Sequence, residues 1–236
     1  MLKKFNLFAD SLSVLPPRQK LLITTLNAHS FNVTKSDALF NEVLLNSDVL
    51  IPDGISIVLA LKLISGKNIK KIAGADLFFY EMERLQQQSG SCFFLGSTDK
   101  TLQLIKSKIA VEYPNVKVNY WSPPYKPQFS DEDNSIMINK INSLKPDVLF
   151  IGLTAPKQEK WAYQHLSKLE VGHICCIGAV FDFYAGTVNR APSILIKMGL
   201  EWLYRLIMEP KRMWKRYLIG NPKFILYVLR EKLLGY

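Results

Sequence analysis

The chain has 236 residues, of which 48% are hydrophobic and 21% charged, so it is long enough for a buried core and too apolar to be disordered. No apolar run reaches the roughly 18 residues needed to span a bilayer. The formal net charge is +10 and it is concentrated at one end, because ten Lys and Arg residues stand against three Glu between residues 190 and 236. Such a basic segment indicates an anionic partner.

Two features of the sequence predict a cytoplasmic protein. The first 20 residues are interrupted by Asp10, end in a Pro-Pro pair and lack the apolar core of a secretory signal. Three cysteines, two of them adjacent at positions 175 and 176, cannot form the disulfide framework of a secreted domain. The Cys-Cys pair lies in an apolar run, and we expect it in a buried strand.

Apolar runs alternate with helix-length segments along the first 183 residues. Strands are predicted at residues 21–27, 48–54, 91–97, 115–121, 147–153 and 173–183. Helices are predicted at residues 36–47, with Ser36 as the N-cap, and at 55–65, 76–88, 99–112, 131–144 and 156–169. This order predicts an α/β fold over residues 1–189, a Rossmann-like parallel sheet flanked by helices.

The alternation stops before residue 190, and residues 190–236 form a predicted helical, basic C-terminal appendage. Its helices are expected at residues 193–209 and 210–219, with Pro210 in the first turn and Gly220 as the stop, and again from residue 222. Helical spacing places Lys211, Arg212, Lys215 and Arg216 on one face, opposite Met213, Trp214, Tyr217 and Leu218.

A basic face backed by an apolar face is typical of a helix lying on a membrane surface. An ordinary surface helix with a solvated basic face is the alternative. Nucleic-acid binding is not predicted, because the sequence contains no RNA recognition motif and no defensible helix-turn-helix.

Ligands of parallel α/β folds bind beyond the carboxyl ends of the strands, so the polar residues at those ends are candidates. They are Thr25 and Asn27, Asp53 and Gly54, Gly96 and Ser97, residues 152–158 beginning with Gly152, and Asp182. Asp53, which precedes a flexible glycine, is suited to be a general base. A turn or helix-cap aspartate is the alternative.

The stretch IGLTAPKQEKW (151–161) combines a strand end with a helix start. Pro156 suits the first helical position, which places Lys157, Gln158 and Glu159 beside free backbone N–H groups. Those amides and Lys157 could hold a diphosphate, and Gln158 could orient a sugar or base. An amphipathic helix start with solvent-facing charges is the alternative. Neither GxGxxG nor a Walker motif is present, and no His/Cys set predicts a metal site.

Several motifs in order resemble the WecG/TagA/CpsF family of glycosyltransferases (glycosyltransferase family 26). They are TxN (25–27), PDG (52–54), GADL (74–77), GLTAPKQE (152–159), GAVFDFYAG (178–186), RAP (190–192) and GLEWLYRLIMEP (199–210). The resemblance implies a cytoplasmic enzyme at the inner leaflet. It would move an N-acetylmannosamine-type or related sugar from a UDP donor onto a polyprenyl-diphosphate-linked sugar, for cell-surface polysaccharide or teichoic acid.

The resemblance also implies roles for individual residues. Asp53 matches the catalytic base, Thr25 and Asn27 its pocket, and Gln158 the pocket glutamine. The basic positions of the appendage, which would meet the membrane and close over the site, are matched by Arg205 and Arg212, with Lys215 or Arg216 nearby, and Arg190 belongs to the RAP motif. The chain departs from the family at Lys71, where many members carry Arg, and at Thr154, where many carry Gly.

An inverting transfer needs a base for the acceptor hydroxyl and positive charge for the departing diphosphate. Because no DxD-like motif directly follows a predicted strand, we expect the protein's own cations to balance that charge, with no metal and no cofactor. The expected partners are the UDP-sugar, the lipid-linked acceptor and an anionic membrane, and a homo-oligomer is compatible with the sequence. The alternatives are a non-catalytic membrane-associated scaffold of a polysaccharide assembly complex and another Rossmann-like enzyme that uses a nucleotide cofactor.

Overall fold

The computed structural model describes residues 1–235 and contains one six-stranded sheet in which all strand pairs are parallel. The strands are β1 Leu21–Leu26, β2 Val49–Pro52, β3 Ser91–Gly96, β4 Lys117–Trp121, β5 Val148–Gly152 and β6 His173–Cys176. Their order across the sheet is β2-β1-β6-β5-β3-β4. The predicted α/β fold class is therefore confirmed.

Helices cover both faces of the sheet. In the α/β part they are α1 Ala28–Val33, α2 Ala38–Leu45, α3 Ile55–Ser65, α4 Gly74–Gln88, α5 Asp99–Glu112, α6 Asp131–Asn142, α7 Lys157–His165 and α8 Ala179–Ala185. Neighbouring strand residues point to opposite faces, so Phe94 and Phe150 pack under α4, α5 and α8 while Phe93 and Leu149 pack under α6 and α7. Both faces are buried in every strand except β4, which is why most of the strands are largely apolar.

The structure differs from the prediction at several boundaries: α1 was not predicted, the helix expected at 193–209 is divided into Ser193–Lys197 and Glu201–Met208, and two further differences concern β6 and the N-cap of α2. The strand predicted at 173–183 ends at Cys176, and residues 179–185 form α8, whose Phe181 packs into the same core as Phe94. A short apolar run is compatible with either a buried strand or a buried helix, so periodicity alone did not separate them. The N-cap of α2 is Asp37 rather than Ser36, because the Asp37 carboxylate accepts the Phe40 N–H at 2.9 Å.

The tail folds into α9 Ser193–Lys197, α10 Glu201–Met208, α11 Pro210–Trp214, a π-helical turn Lys215–Ile219 and α12 Gly220–Leu234. Pro210 begins α11 as predicted. Gly220 does not end a helix, since its φ of −67° and ψ of −45° continue the helical path. No helix within residues 1–235 is long and apolar enough to cross a membrane.

The predicted division of the tail into a basic face and an apolar face is partly wrong. Arg216 turns inward beside Tyr217, whereas Trp214 and Leu218 are exposed. A π turn adds a residue to the helical repeat and rotates the following side chains relative to an ideal α-helix. For this reason the α-helical spacing of 100° per residue, on which the predicted faces depend, does not apply across Lys215–Ile219.

The last helix is packed onto the α/β domain. Phe224 and Val228 of α12 are buried in a core shared with α1 and α3, and the Phe224 ring meets the Phe31 ring edge-on at 5.3 Å. The buried Glu231 carboxylate accepts the backbone N–H groups of Leu2 and Lys3. Apolar burial and these hydrogen bonds hold the C-terminal helix against the rest of the fold.

Candidate active site

A cavity of about 710 Å³ lies beyond the carboxyl ends of β1 and β2. Its floor is formed by Asn27 and Asp53, which directly follow β1 and β2. One wall is formed by α3, and the opposite wall by the tail helices α10 and α12 with the π turn. The ionisable and hydrogen-bonding side chains that line it include Asn27, His29, Asp53, Ser56, Lys71, Glu201, Arg205, Arg216 and Asn221. Five of the site residues predicted from the sequence are among them, and the predicted Gly54 also lines the cavity; the five are Asn27, Asp53, Lys71, Arg205 and Arg216.

Asp53 is held in place by its backbone. Its N–H donates to the Leu26 carbonyl at 2.9 Å, which continues the β1–β2 pairing by one residue. Gly54 follows with a φ of +118°, a value that side-chain-bearing residues rarely adopt, and α3 starts at the next residue. The chain therefore turns sharply at Gly54 and leaves the Asp53 carboxyl at the floor of the cavity.

Asn27 orients the Asp53 carboxyl. The Asn27 side-chain oxygen accepts the Ser30 N–H at 3.0 Å and so caps α1, while the Ser30 hydroxyl accepts the Asn27 N–H at 2.7 Å. Because the amide oxygen is used in the cap, the amide NH₂ group is available to donate to Asp53, with which Asn27 is hydrogen-bonded.

The surroundings of Asp53 make it a stronger base than an ordinary aspartate. Burial raises the pKa of Asp53 above its usual 3.8, and the nearby Glu201 carboxylate raises it further. Lys71, Arg216 and the Asn27 hydrogen bond oppose this shift without cancelling it. A carboxylate with a raised pKa that faces a cavity has the properties expected of a general base.

Three cations face the same cavity, namely Lys71, Arg205 and Arg216. The Nε atoms of both arginines are buried and have no hydrogen-bond partner among the described residues. Arg205 lies over the Phe183 ring, with its guanidinium carbon 5.4 Å from the ring centroid. Guanidinium groups with unused donors in a partly buried cavity are well suited to bind a phosphate group.

Several residues of this cavity were not predicted from the sequence. His29 lines it, and burial together with Arg216 lowers the pKa of its imidazole to about 4, so the ring is neutral near pH 7. Glu201 also lines the cavity, and its Oε1 lies 3.7 Å from the Arg190 Nε. The predicted Arg190 does not line the cavity itself but pairs with Glu201, which does. His29 stands in the first turn of the helix capped by Asn27, a spacing that could have identified it.

Gln158 and Glu159 are buried outside this cavity, at the start of α7. The Gln158 amide donates to the Glu159 carboxylate at 2.9 Å. The second oxygen of Glu159 and the amide oxygen of Gln158 are buried without a partner in residues 1–235. Burial raises the pKa of Glu159 to about 7. Pro156, expected as the first helical residue, is instead the N-cap of α7.

The remaining predicted residues also lie outside the cavity. The Lys157 ammonium donates to the Lys126 carbonyl and lies 3.6 Å from the Phe129 ring centroid, at a second cavity of about 460 Å³. Arg212 is exposed and pairs with Glu209 at 2.8 Å. Thr25 is half-buried on β1, and the Asp182 carboxylate accepts a hydrogen bond from the Thr187 hydroxyl. Gly152 packs so closely against Phe181 that a Cβ at this position would lie 2.7 Å from the ring.

The cavity thus combines one activated carboxylate with three cations, and its outer walls are apolar. A carboxylate can accept the proton of a hydroxyl nucleophile, and the cations can stabilise an anionic leaving group. This arrangement is suited to the transfer of a group from a phosphorylated leaving group to a hydroxyl.

The chain matches the profile of the Glycosyl transferase WecG/TagA/CpsF family over residues 4–236. Three relatives carry the name N-acetylglucosaminyldiphosphoundecaprenol N-acetyl-beta-D-mannosaminyltransferase. The protein of Bacillus subtilis (strain 168) is 34% identical over 215 residues, 89% of this chain and 80% of the relative. That of Bacillus spizizenii (strain ATCC 23059 / NRRL B-14472 / W23) is 30% identical over 82% of this chain and 72% of its own length. That of Staphylococcus aureus (strain MW2) is 27% identical over 87% and 76% respectively.

The match covers the α/β domain and the tail together, and with it the charged cavity that lies between them. The chain belongs to the WecG/TagA/CpsF glycosyltransferase family.

Proposed function

We propose that this protein transfers an N-acetylmannosamine-type sugar from a UDP donor to an N-acetylglucosaminyl-diphosphate-polyprenol. The names of the relatives supply the acceptor class and the sugar. The observation that carries the proposal is the position of Asp53, a carboxylate of raised pKa in the same cavity as Lys71, Arg205 and Arg216.

The reaction is a single displacement with inversion. Asp53 accepts the proton of an acceptor hydroxyl, and the oxygen attacks the anomeric carbon of the donor sugar from the face opposite to UDP. One carbon–oxygen bond forms as the bond to UDP breaks, and UDP leaves with the electron pair. Asp53 then releases its proton to solvent.

The cations of the cavity balance the charge of the diphosphate groups. Lys71 lies on the α/β side, whereas Arg205 and Arg216 come from the tail, so a diphosphate bound there would contact both parts of the protein. Three such groups supply the charge that a divalent ion supplies in other transferases, and we therefore propose that transfer needs no metal.

The outer surface of the tail supports a position at the inner face of the cytoplasmic membrane. Large apolar side chains are exposed there beside basic ones, among them Ile207, Met208, Trp214 and Ile219 with Lys211 and Lys215. Each basic residue near an anionic bilayer contributes about 1 kcal/mol to binding. A peripheral enzyme held in this way meets an acceptor whose polyprenyl chain is in the bilayer.

The test is transfer of labelled sugar from a panel of UDP donors to a lipid-linked N-acetylglucosaminyl diphosphate, in the presence of EDTA. Asp53→Asn should lose activity by at least about 100-fold, the range for a general base, while Asp99→Asn, an exposed aspartate in α5, should keep it. Full activity of Asp53→Asn would remove Asp53 from the mechanism. Vesicle binding without transfer by the unaltered protein would favour the scaffold alternative.

A further inference from the structure

A pair of apolar stripes forms the outer part of the cavity. On α3, Ile55, Leu59 and Leu63 follow one another at four-residue spacing and line the cavity wall. Ile225 and Leu229 line the wall opposite, one turn apart on α12. Residues four apart lie on the same side of a helix, so each stripe is continuous along its helix.

These side chains are exposed in the protein as it stands. Leu59 is 57% exposed and Leu63 is 46% exposed, while Ile225 and Leu229 opposite are 55% and 44% exposed. The inner faces of the same two helices are filled by Ile57, Ile64, Phe224 and Val228, which are buried. The stripes therefore lie outside the core, and an exposed contiguous apolar surface of this kind marks a binding site.

The groove between the stripes leads directly to the charged floor of the cavity. Leu59 and Leu63 share the cavity with Arg205, Arg216 and Asp53. One end of this continuous space attracts an anion and the other end attracts hydrocarbon. A ligand that fits both ends is an amphiphile with a diphosphate head and an apolar chain attached to it.

We propose that the groove between α3 and α12 binds the first isoprenyl units of the acceptor's polyprenyl chain. This inference rests on the proposed function, because it takes the lipid-linked acceptor from there and adds the surface that holds the chain. From Ile55 to Leu63 the groove runs for about 12 Å at the helical rise of about 1.5 Å per residue. It therefore accommodates the chain segment next to the diphosphate, and the rest of the chain stays in the bilayer.

The groove is distinct from the outer surface of the tail. Leu226 lies on α12 beside Ile225 and is 56% exposed, yet it does not line the cavity. A residue that acts only by inserting into a bilayer would behave like Leu226. Leu59 and Leu63 should instead affect an acceptor that is free in solution, and this difference provides the matched control.

The experiment compares two acceptors that are monomeric in water, N-acetylglucosaminyl diphosphate esterified with a methyl group or with a farnesyl chain. The farnesyl acceptor should have a KM at least about tenfold lower than the methyl acceptor, because burial of even two CH₂ groups is worth that much. The double variant Leu59→Gln/Leu63→Gln should raise the KM for the farnesyl acceptor by about tenfold or more. The KM for the methyl acceptor should rise by a much smaller factor, so that the ratio of the two KM values falls towards one.

Leu226→Gln should change neither KM. Equal KM values for the two acceptors, or an equal effect of Leu226→Gln and the double variant, would overturn the proposal. Calorimetric binding of farnesyl diphosphate separates this inference from the proposed function, since it needs no turnover. Binding that weakens in the double variant and not in Leu226→Gln would support the groove even if no sugar were transferred, whereas transfer with no dependence on the chain would refute the groove alone.

Discussion

Glu159 should make the stability of the protein depend on pH. Its carboxyl is 1% exposed, one oxygen accepts from Gln158, and the other has no partner in the described part of the chain. Burial without a cation disfavours the charged form, and the pKa of Glu159 rises from 4.5 to about 7. The variant Glu159→Gln removes the titrating group while it keeps the shape and an acceptor for the Gln158 amide.

The sign follows from the two pKa values. Below pH 4.5 the carboxyl is protonated in both the folded and the unfolded chain, and it costs nothing. As the pH rises towards 7 the unfolded chain ionises first, so folding must retain the proton and becomes less favourable. Each pH unit between the two values is worth about 1.4 kcal/mol, so the full penalty above pH 7 is about 3 kcal/mol.

The measurement is urea unfolding of the unaltered protein and of Glu159→Gln at several pH values. The free energy of unfolding of Glu159→Gln relative to the unaltered protein should grow by about 2–3 kcal/mol from about pH 5 to about pH 8. Glu83→Gln, which changes an exposed glutamate of α4, should show no such trend. A constant difference between Glu159→Gln and the unaltered protein across this range would show that Glu159 is ionised in the folded state and would refute the reasoning.

Three further predictions concern the cavity and the tail. Glu201→Gln should move the acidic limb of the plot of kcat/KM against pH to lower pH, because loss of the Glu201 charge lowers the pKa of Asp53. Arg216→Met should move that limb to higher pH, and profiles identical to that of the unaltered protein would contradict this electrostatic account. Gly54→Ala, at a φ of +118°, should lower the free energy of unfolding by about 1–3 kcal/mol, measured in urea, and an unchanged value would show that no strain arises. Phe224→Ala should lower the free energy of unfolding by about 3 kcal/mol and make the tail more sensitive to proteolysis. Unchanged resistance of the tail to the protease would show that other contacts hold the tail on the α/β domain.

The parallel sheet could be predicted because most of its strands are buried on both faces and therefore form largely apolar runs. The same apolar character made the start of α8 indistinguishable from the end of β6 in the sequence. Residues 173–183 are apolar except for His173, Gly178 and Asp182, and only packing on Phe94 distinguishes the helical Phe181 from the strand residues before it. The π turn at Lys215–Ile219 had no signal either, because its residues are compatible with an ordinary α-helix.

The candidate site was predictable on the side of the α/β domain. Asp53 and Asn27 follow adjacent strands, and parallel strands bring such positions to one edge of the sheet. The tail was harder, since helical spacing assigns a direction to each residue but not a docking position. Arg216 and Glu201 reach the cavity through the path of the tail, and only tertiary packing determines that path. Their roles in catalysis stay predictions, as does that of Asp53.

The basicity of Asp53 depends on the tail as well as on the strand that carries it. One wall of the cavity is built by α10, the π turn and α12, so the burial that raises the pKa of Asp53 is partly theirs. The same segments bring Glu201, which raises the pKa further, and Arg216, which lowers it. Removing the tail would expose Asp53 to water, and the carboxyl would then titrate closer to an ordinary aspartate. In the proposed reaction, water would also enter and compete with the acceptor hydroxyl for the donor sugar. Packing of Phe224 and Val228 on the α/β domain is therefore a condition for the proposed chemistry, although neither side chain carries a polar group.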